Sequence, residues 1–113
     1  ILTVRFELQE PVDRGGPIVV TRLVLTDQRG SLSRLFCAEF LNKLFSSKGV
    51  VQINHTVTNE AGTVRGFHYQ MGASAEAKLV ICLKGRVLDV AVDLRRNSKT
   101  LCKTYAAELS PEN

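Results

Sequence analysis

The chain has 113 residues, of which 44% are hydrophobic and 23% are charged, and its formal net charge is +4. This composition is typical of one soluble globular domain, and no apolar run approaches the roughly 20 residues that span a bilayer. Because the basic residues are scattered and aromatic residues are few, the sequence does not favour nucleic-acid binding. No basic and apolar leader opens the sequence, so we expect a cytoplasmic protein.

The three cysteines, Cys37, Cys82 and Cys102, form no CxxC pair. We interpret them as reduced, mostly buried thiols; a catalytic or metal-binding thiol is the alternative. A metal site would need an HxH pair or a further carboxylate at ligand spacing, and neither is evident. The sequence therefore predicts no metal.

The first part of the chain is predicted to form two strands and two turns. Residues 3–8 and 18–25 are rich in aliphatic and β-branched residues, which favours strands. A turn at residues 15–17 separates them. Residues 27–30 begin with Asp and end with Gly, which is typical of a type I turn.

One helix is predicted, over residues 35–45. Ser33 is a candidate for its N-cap, and residues 46–49 would end it. Its apolar residues recur at helical spacing: Phe36, Phe40, Leu41 and Leu44.

The rest of the chain predicts short strands joined by tight turns, with a loop at residues 71–77. Several strands with one small helix indicate an antiparallel sandwich or barrel in a single domain, residues 1–113. If the chain ended after these strands, their edges would be exposed. We therefore expect either a missing C-terminal part or a partner subunit that covers the edge. The predicted strands are residues 50–58, 62–70, 78–84, 86–94 and 103–108.

A hairpin with Lys84 and Gly85 at its tip would connect the strands 78–84 and 86–94. In that hairpin Lys78 and Asp89 are diagonal neighbours, roughly 7–8 Å apart. Burying a lysine and an aspartate among small, apolar side chains costs free energy unless the two charges form an ion pair or take part in binding or catalysis. The alternative is a surface salt bridge on the solvent side of the sheet.

The segment 62–70 concentrates groups suited to an anionic substrate that loses a proton. Alternation places His68 and Gln70 on one face and Arg65 on the other, although a bulge at Gly66 could turn Arg65 toward His68. A lone histidine is more often structural than catalytic. Its neighbours, together with the lysine at position 78, favour a catalytic role.

The preceding strand places Gln52 and Asn54 on one face and His55 on the opposite face, so we interpret His55 as structural. No nucleophile elbow, phosphate-binding loop or dinucleotide-binding glycine pattern is present.

A series of motifs in fixed order, from about residue 27 to the end of the chain, resembles the dTDP-4-dehydrorhamnose 3,5-epimerase family. The combined order and spacing of the motifs are specific to this family, whereas each motif alone would be weak evidence for it. The matching runs are Asp27-Gln28-Arg29-Gly30, Val51-Gln52-Ile53-Asn54, the segment 62–70, Lys78-Leu79-Val80, the segment 85–95, Asn97-Ser98-Lys99-Thr100 and the segment 108–113.

The resemblance implies a cupin-type β-barrel or jelly roll, usually a homodimer, that acts on a nucleotide-activated 4-keto-6-deoxy sugar without a metal or cofactor. His68 would be the base that removes a proton next to the keto group, and Lys78 would stabilise the enolate oxygen. A base of near-neutral pKa and a cation where negative charge develops are what this chemistry needs.

The resemblance also implies how the substrate is held. Arg29, Gln52, Asn54 and Arg65 match positions that bind the nucleotide diphosphate and the sugar. Asp89 and Gln70 are supporting residues in this interpretation.

The chain departs from the family pattern in two ways. Arg34 stands where the family carries an acidic residue and Leu32 where it carries an aromatic one, so the sugar and nucleotide preference stays open. The family continues past the segment 108–113 with a histidine, a tyrosine proton donor and an aspartate, and we expect the C-terminal part of the domain to be lacking here. The alternatives to an epimerase are therefore a non-catalytic sugar-nucleotide-binding module and a 3,4-ketoisomerase.

Overall fold

A computed structural model describes residues 6–9, 16–45 and 49–113 of the chain. These residues contain one α-helix, one short 3₁₀ helix and six strands: β1 Phe6–Gln9, β2 Val19–Arg22, β3 Val24–Asp27, β4 Gly30–Ser33, α1 Ala38–Leu44, the 3₁₀ helix Gly72–Ser74, β5 Val87–Val92 and β6 Thr104–Leu109. The chain divides into two compact units, one made of Ile1–Cys37 with Val80–Asn113 and the other of Ala38–Leu79.

Among the described residues, the first unit carries three two-stranded antiparallel sheets, which pair β1 with β2, β3 with β4, and β5 with β6. Leu23 separates β2 from β3, which belong to different sheets. The prediction of one continuous strand over residues 18–25 was therefore wrong, because an uninterrupted aliphatic run does not reveal where a chain changes partner. Of the predicted strand 3–8, residues 6–8 lie in β1, and residues 3–5 lie outside the described residues.

The turn at residues 27–30 is confirmed, and it closes the β3–β4 hairpin. Asp27 pairs with Gly30 in the ladder, and the Arg29 amide donates to Asp27 Oδ1 at 2.8 Å. Gly30 has a φ of +138°, a conformation that residues with a Cβ rarely adopt. Strand β4 after this turn was not predicted.

The helix is confirmed, but its start was placed too early. Ser33 ends β4, so it cannot cap a helix that begins at Ala38. Leu41 is buried, with 3% of its surface exposed, and Lys43 and Glu39 form an i,i+4 ion pair at 3.5 Å. Of the turns predicted at 15–17 and 46–49, Gly15 and residues 46–48 lie outside the described residues.

The predicted hairpin between residues 78–84 and 86–94 does not form. Strand β5 pairs with β6, in a register from Val87 opposite Leu109 to Val92 opposite Thr104, and residues 78–84 belong to no sheet. The last strand, predicted at 103–108, is confirmed as β6. Apolar alternation correctly indicated β5 as a strand but identified the wrong partner.

Residues 50–58 and 62–70 also join no sheet among the described residues, contrary to the prediction. Their apolar side chains are largely open: Val51 is 97% exposed and Val64 is 90% exposed. The predicted loop at 71–77 is present and contains the 3₁₀ helix. The overall prediction of a mainly β, antiparallel chain with one short helix is confirmed.

The three cysteines are free thiols. Cys37 and Cys82 are half-buried, but Cys102 is exposed, so the prediction of mostly buried thiols was wrong for Cys102. No helix in the described part of the chain combines the length and hydropathy that crossing a bilayer requires.

Candidate active site

The His68 imidazole is exposed and lies beside the backbone of Gly66. A Cβ added at Gly66 would lie 3.4 Å from the His68 amide nitrogen and 3.6 Å from Nδ1. Gly66 also has a φ of +109°, which L-residues with a side chain rarely adopt. The backbone conformation therefore favours glycine at this position, whereas the distances to His68 alone would admit a Cβ.

The His68 ring makes no hydrogen bond or ion pair within residues 16–45 and 49–113. An exposed ring is hydrated by solvent and needs no protein partner. The imidazole is therefore accessible to a ligand.

Lys78 forms an ion pair with Glu76, with 3.2 Å between Nζ and Oε1. Gln70 contacts the same carboxylate: with its amide nitrogen directed to Glu76, Gln70 donates to Oε1 at 2.5 Å and to Oε2 at 3.3 Å. Glu76 thus connects two predicted site residues that are eight positions apart in the sequence. Glu76 was not among the predicted site residues, although its i,i+2 spacing from Lys78 would place both side chains on one face of an extended segment.

Gln52 and Asn54 contact each other directly: Gln52 Nε2 donates to Asn54 Oδ1 at 3.1 Å. This contact agrees with the prediction that both amides lie on one side of their segment. Arg65 Nε donates to Thr58 Oγ1 at 3.4 Å, which connects the segments 50–58 and 62–70. All of these side chains are exposed and offer amide and guanidinium donors to a polar ligand.

Arg29 lies in the β3–β4 turn and is paired with Asp27. Its Nη2 lies 2.5 Å from Asp27 Oδ2, and its side chain is 90% exposed. The hydrogen bonds from Arg29 hold the pKa of Asp27 below its usual range, and the Asp27 carboxylate raises the pKa of Arg29. Arg29 therefore carries a permanent positive charge at a surface turn.

Asp89 lies in β5, is exposed, and pairs with Ala107 of β6. The expectation that Asp89 lies near Lys78 depended on the 78–84/86–94 hairpin, which does not form. The carboxylate that Lys78 does contact is Glu76.

The unit Ala38–Leu79 contains most of the predicted site residues, and Arg29 and Asp89 belong to the other unit. In this unit the contacts join Gln52 to Asn54, and Gln70 and Lys78 to Glu76. No group of three His, Cys, Asp or Glu side chains in the described residues could hold a metal ion. The predicted site residues of this unit supply an exposed imidazole, an ammonium, a guanidinium and three amides, which suit acid–base chemistry on an anionic, oxygen-rich ligand.

Comparisons with known proteins give a consistent result. The sequence model of a family described as dTDP-4-dehydrorhamnose 3,5-epimerase matches residues 13–113. A curated relative of that name from Sinorhizobium fredii is 44% identical over 77% of this chain and 45% of its own length. Another from Shigella flexneri is 40% identical over 80% of this chain and 50% of its own length.

A solved structure is also similar. The crystal structure of dTDP-4-dehydrorhamnose 3,5-epimerase from Elizabethkingia anophelis matches with a TM-score of 0.72 and 37% identity, over 96% of this chain and 58% of that chain. This likeness confirms the predicted cupin-type fold class. The chain spans about half the length of the curated relatives it matches.

Proposed function

Because the chain belongs to the dTDP-4-dehydrorhamnose 3,5-epimerase family, we propose that it acts in the epimerisation of a nucleotide-activated 4-keto-6-deoxy sugar. The observation that carries the proposal is the exposed His68 ring beside the Gly66 backbone, within a chain that matches the family over residues 13–113. The relatives' name identifies carbons 3 and 5 of dTDP-4-dehydrorhamnose as the epimerised positions, and we propose the same class of substrate here.

In this proposal His68 is the base. A C–H bond next to the keto group breaks, its proton passes to the imidazole, and the electron pair moves toward the keto oxygen to form an enolate. A neutral imidazole has a nitrogen lone pair that can accept the proton. Return of a proton to the opposite face of that carbon inverts its configuration.

Lys78 supplies the cation for the enolate oxygen. Negative charge develops on that oxygen as the C–H bond breaks, and a cation already in position lowers the barrier. The ion pair with Glu76, which also contacts Gln70, supports this role because it restricts the positions of the flexible lysine side chain.

Arg29 and Arg65 are the proposed ligands of the nucleotide diphosphate, and Gln52 and Asn54 are proposed to bind the sugar or base. Guanidinium groups bind phosphate oxygens in bidentate geometry, and amides both donate and accept hydrogen bonds. Asp89 remains a proposed supporting residue without a described contact to the others. We propose a cytoplasmic homodimer that uses no metal or cofactor.

The second candidate is a non-catalytic sugar-nucleotide-binding module. The observation that favours it is the set of exposed amide and guanidinium donors of Gln52, Asn54 and Arg65, which suit ligand binding without catalysis. Such a module would keep the binding residues Arg29, Gln52, Asn54 and Arg65 but would not catalyse proton exchange.

The decisive experiment is incubation with dTDP-4-keto-6-deoxyglucose in deuterated buffer, followed by NMR of the sugar. We expect deuterium at C3 or C5, and His68→Asn should lower its rate of incorporation by about 100-fold or more, the usual contribution of a general base. His55→Asn is the matched control, because His55 is an exposed histidine of the same unit, and it should leave the rate unchanged.

Absence of deuterium with the unchanged chain, together with binding of dTDP, would exclude catalysis by this chain and favour the binding module. Equal rates for His68→Asn and the unchanged chain would exclude His68 as the base.

A further inference from the structure

Arg22, the last residue of β2, is a buried cation that binds main-chain oxygens from distant parts of the sequence. Only 8% of its surface is exposed. Its Nε donates to the main-chain oxygen of Asn113 at 2.9 Å, and its Nη2 donates to those of Pro111 at 2.9 Å and Ser110 at 3.1 Å. A longer contact of 3.5 Å joins Nη2 to the Cys82 oxygen.

The segment that Arg22 binds, residues 110–113, is a turn with hydrogen bonds of its own. The Ser110 amide donates to Asn113 Oδ1 at 2.9 Å, and Asn113 Nδ2 donates to the Glu108 oxygen at 3.0 Å. The Glu112 amide donates to Ser110 Oγ at 3.3 Å. These bonds shape the turn, and the Arg22 guanidinium attaches it to β2.

The charge of Arg22 makes this attachment strong and selective. Burying a guanidinium is costly unless its donors are satisfied, and here several carbonyl oxygens satisfy them. The acceptors lie around the planar fork formed by Nε and Nη2, an arrangement that a lysine ammonium cannot reproduce. The positive charge also acts on Glu112, whose pKa is lowered first by the Ser110 hydroxyl and further by Arg86 and Arg22.

We propose that the charge of Arg22 holds the turn 110–113 against β2, so that the turn loses its protection from solvent when this charge is removed. The anchoring does not depend on the proposed function.

The anchoring is tested by hydrogen exchange of backbone amides in Arg22→Gln and Arg22→Lys. We expect the Ser110 amide to exchange about tenfold faster or more in Arg22→Gln, because the turn loses its charge-assisted bonds to β2. Arg22→Lys should also exchange faster than the unchanged protein, since one ammonium cannot reach all of the oxygens. Arg96→Gln, at an exposed arginine of the same unit, should leave the exchange unchanged.

Where Arg22→Gln does not fold, NMR of the unchanged protein provides the test. The Arg22 Nε–H proton should be protected from solvent and should show coupling across its hydrogen bond to the Asn113 carbonyl carbon. A rapidly exchanging Nε–H, or a folded Arg22→Gln with unchanged Ser110 exchange, would overturn the proposal.

Discussion

At the residue scale, the ion pair between Glu76 and Lys78 allows the contribution of each side chain to the proposed catalysis to be compared. The two side chains are about half exposed, at 50% and 52%, and Nζ lies 3.2 Å from Oε1. Ion pairs this exposed contribute about 0.2–1 kcal/mol, because water screens the charges and two flexible side chains lose entropy. Glu76 therefore orients Lys78 weakly, and the lysine charge itself carries the proposed catalytic effect.

We predict that Glu76→Gln lowers kcat by no more than about fivefold, the rate equivalent of about 1 kcal/mol. Lys78→Gln should lower kcat by about 100-fold or more, as the loss of a group that stabilises developing negative charge does. The measurement is the rate of deuterium incorporation into the sugar. Glu60→Gln, at an exposed glutamate of the same unit, is the control and should change neither kcat nor KM.

A loss of 100-fold in Glu76→Gln would contradict the view of Glu76 as a weak orienting group. It would indicate instead that the carboxylate takes part in the reaction.

At the scale of elements, the connection between β5 and β6 is organised around one carboxylate. Only 3% of the Asp93 side chain is exposed. Its Oδ2 accepts from Ser98 Oγ at 2.5 Å, Thr100 Oγ1 at 2.7 Å and Arg95 Nη2 at 2.8 Å. The Asp93 main-chain oxygen accepts from the Cys102 amide at 2.7 Å, so the carboxylate and the backbone together close the loop.

Because of this network, the contribution of Asp93 to the free energy of unfolding depends on pH in a predictable way. The hydrogen bonds from Arg95, then those from Ser98 and Thr100, hold the pKa of the Asp93 carboxyl far below its usual range. A carboxyl whose pKa is depressed by folding contributes stability above its unfolded pKa, about 3.9, and loses it as the pH falls toward the folded value.

We therefore predict that the difference in unfolding free energy between the unchanged chain and Asp93→Asn is constant from about pH 5 to 8 and shrinks below about pH 4. Urea unfolding at a series of pH values measures this difference. Ser98→Ala removes one hydrogen bond to the charged group and should cost about 1.5–3 kcal/mol. Exposed Lys99→Ala is the control and should change stability by about 0.5 kcal/mol or less.

A difference between the unchanged chain and Asp93→Asn that stays constant down to pH 2 would show that the carboxylate charge does not hold the loop.

Some of the turns and strands could be predicted from the sequence and others could not. The hairpin turn 27–30 and strand β6 were predictable, because Asp and Gly have intrinsic turn preferences and residues 104–109 alternate between more and less exposed positions. Strand β4, with the sequence Gly-Ser-Leu-Ser, was not, because it has little β-propensity and forms through its pairing with β3.

At the scale of the whole molecule, large apolar side chains of the unit Ala38–Leu79 are open to solvent. Val51 is 97% exposed, Val64 is 90% exposed and Ile53 is 84% exposed, whereas Leu41 is the buried apolar side chain among the described residues. Covering a valine or isoleucine contributes about 1.5–3 kcal/mol. This surface supports the proposal of a homodimer, in which each side chain covered on one protomer is also covered on the other.

We predict that the chain sediments as a dimer and that Val51→Glu raises the dimer dissociation constant by at least about tenfold, because a charge would be buried at a covered apolar position. Sedimentation velocity over a range of concentrations measures this constant. Thr56→Glu adds the same charge at an exposed polar position of the same segment and is the matched control. A monomer at every concentration, or equal effects of the two variants, would contradict the dimer.

The sequence alone determined the fold class and the chemical groups of the candidate site, because residue preferences, turn signals and motif spacing are properties of neighbouring residues. It could indicate that Gln52 and Asn54 share a side, since extended chains alternate. Only the tertiary structure decided that β5 pairs with β6, that Glu76 contacts Lys78, and that Arg22 and Asp93 are buried in hydrogen-bond networks. A strand's alternation shows which face a residue occupies but not which distant segment completes its hydrogen bonds, and that choice depends on the packing of the whole chain.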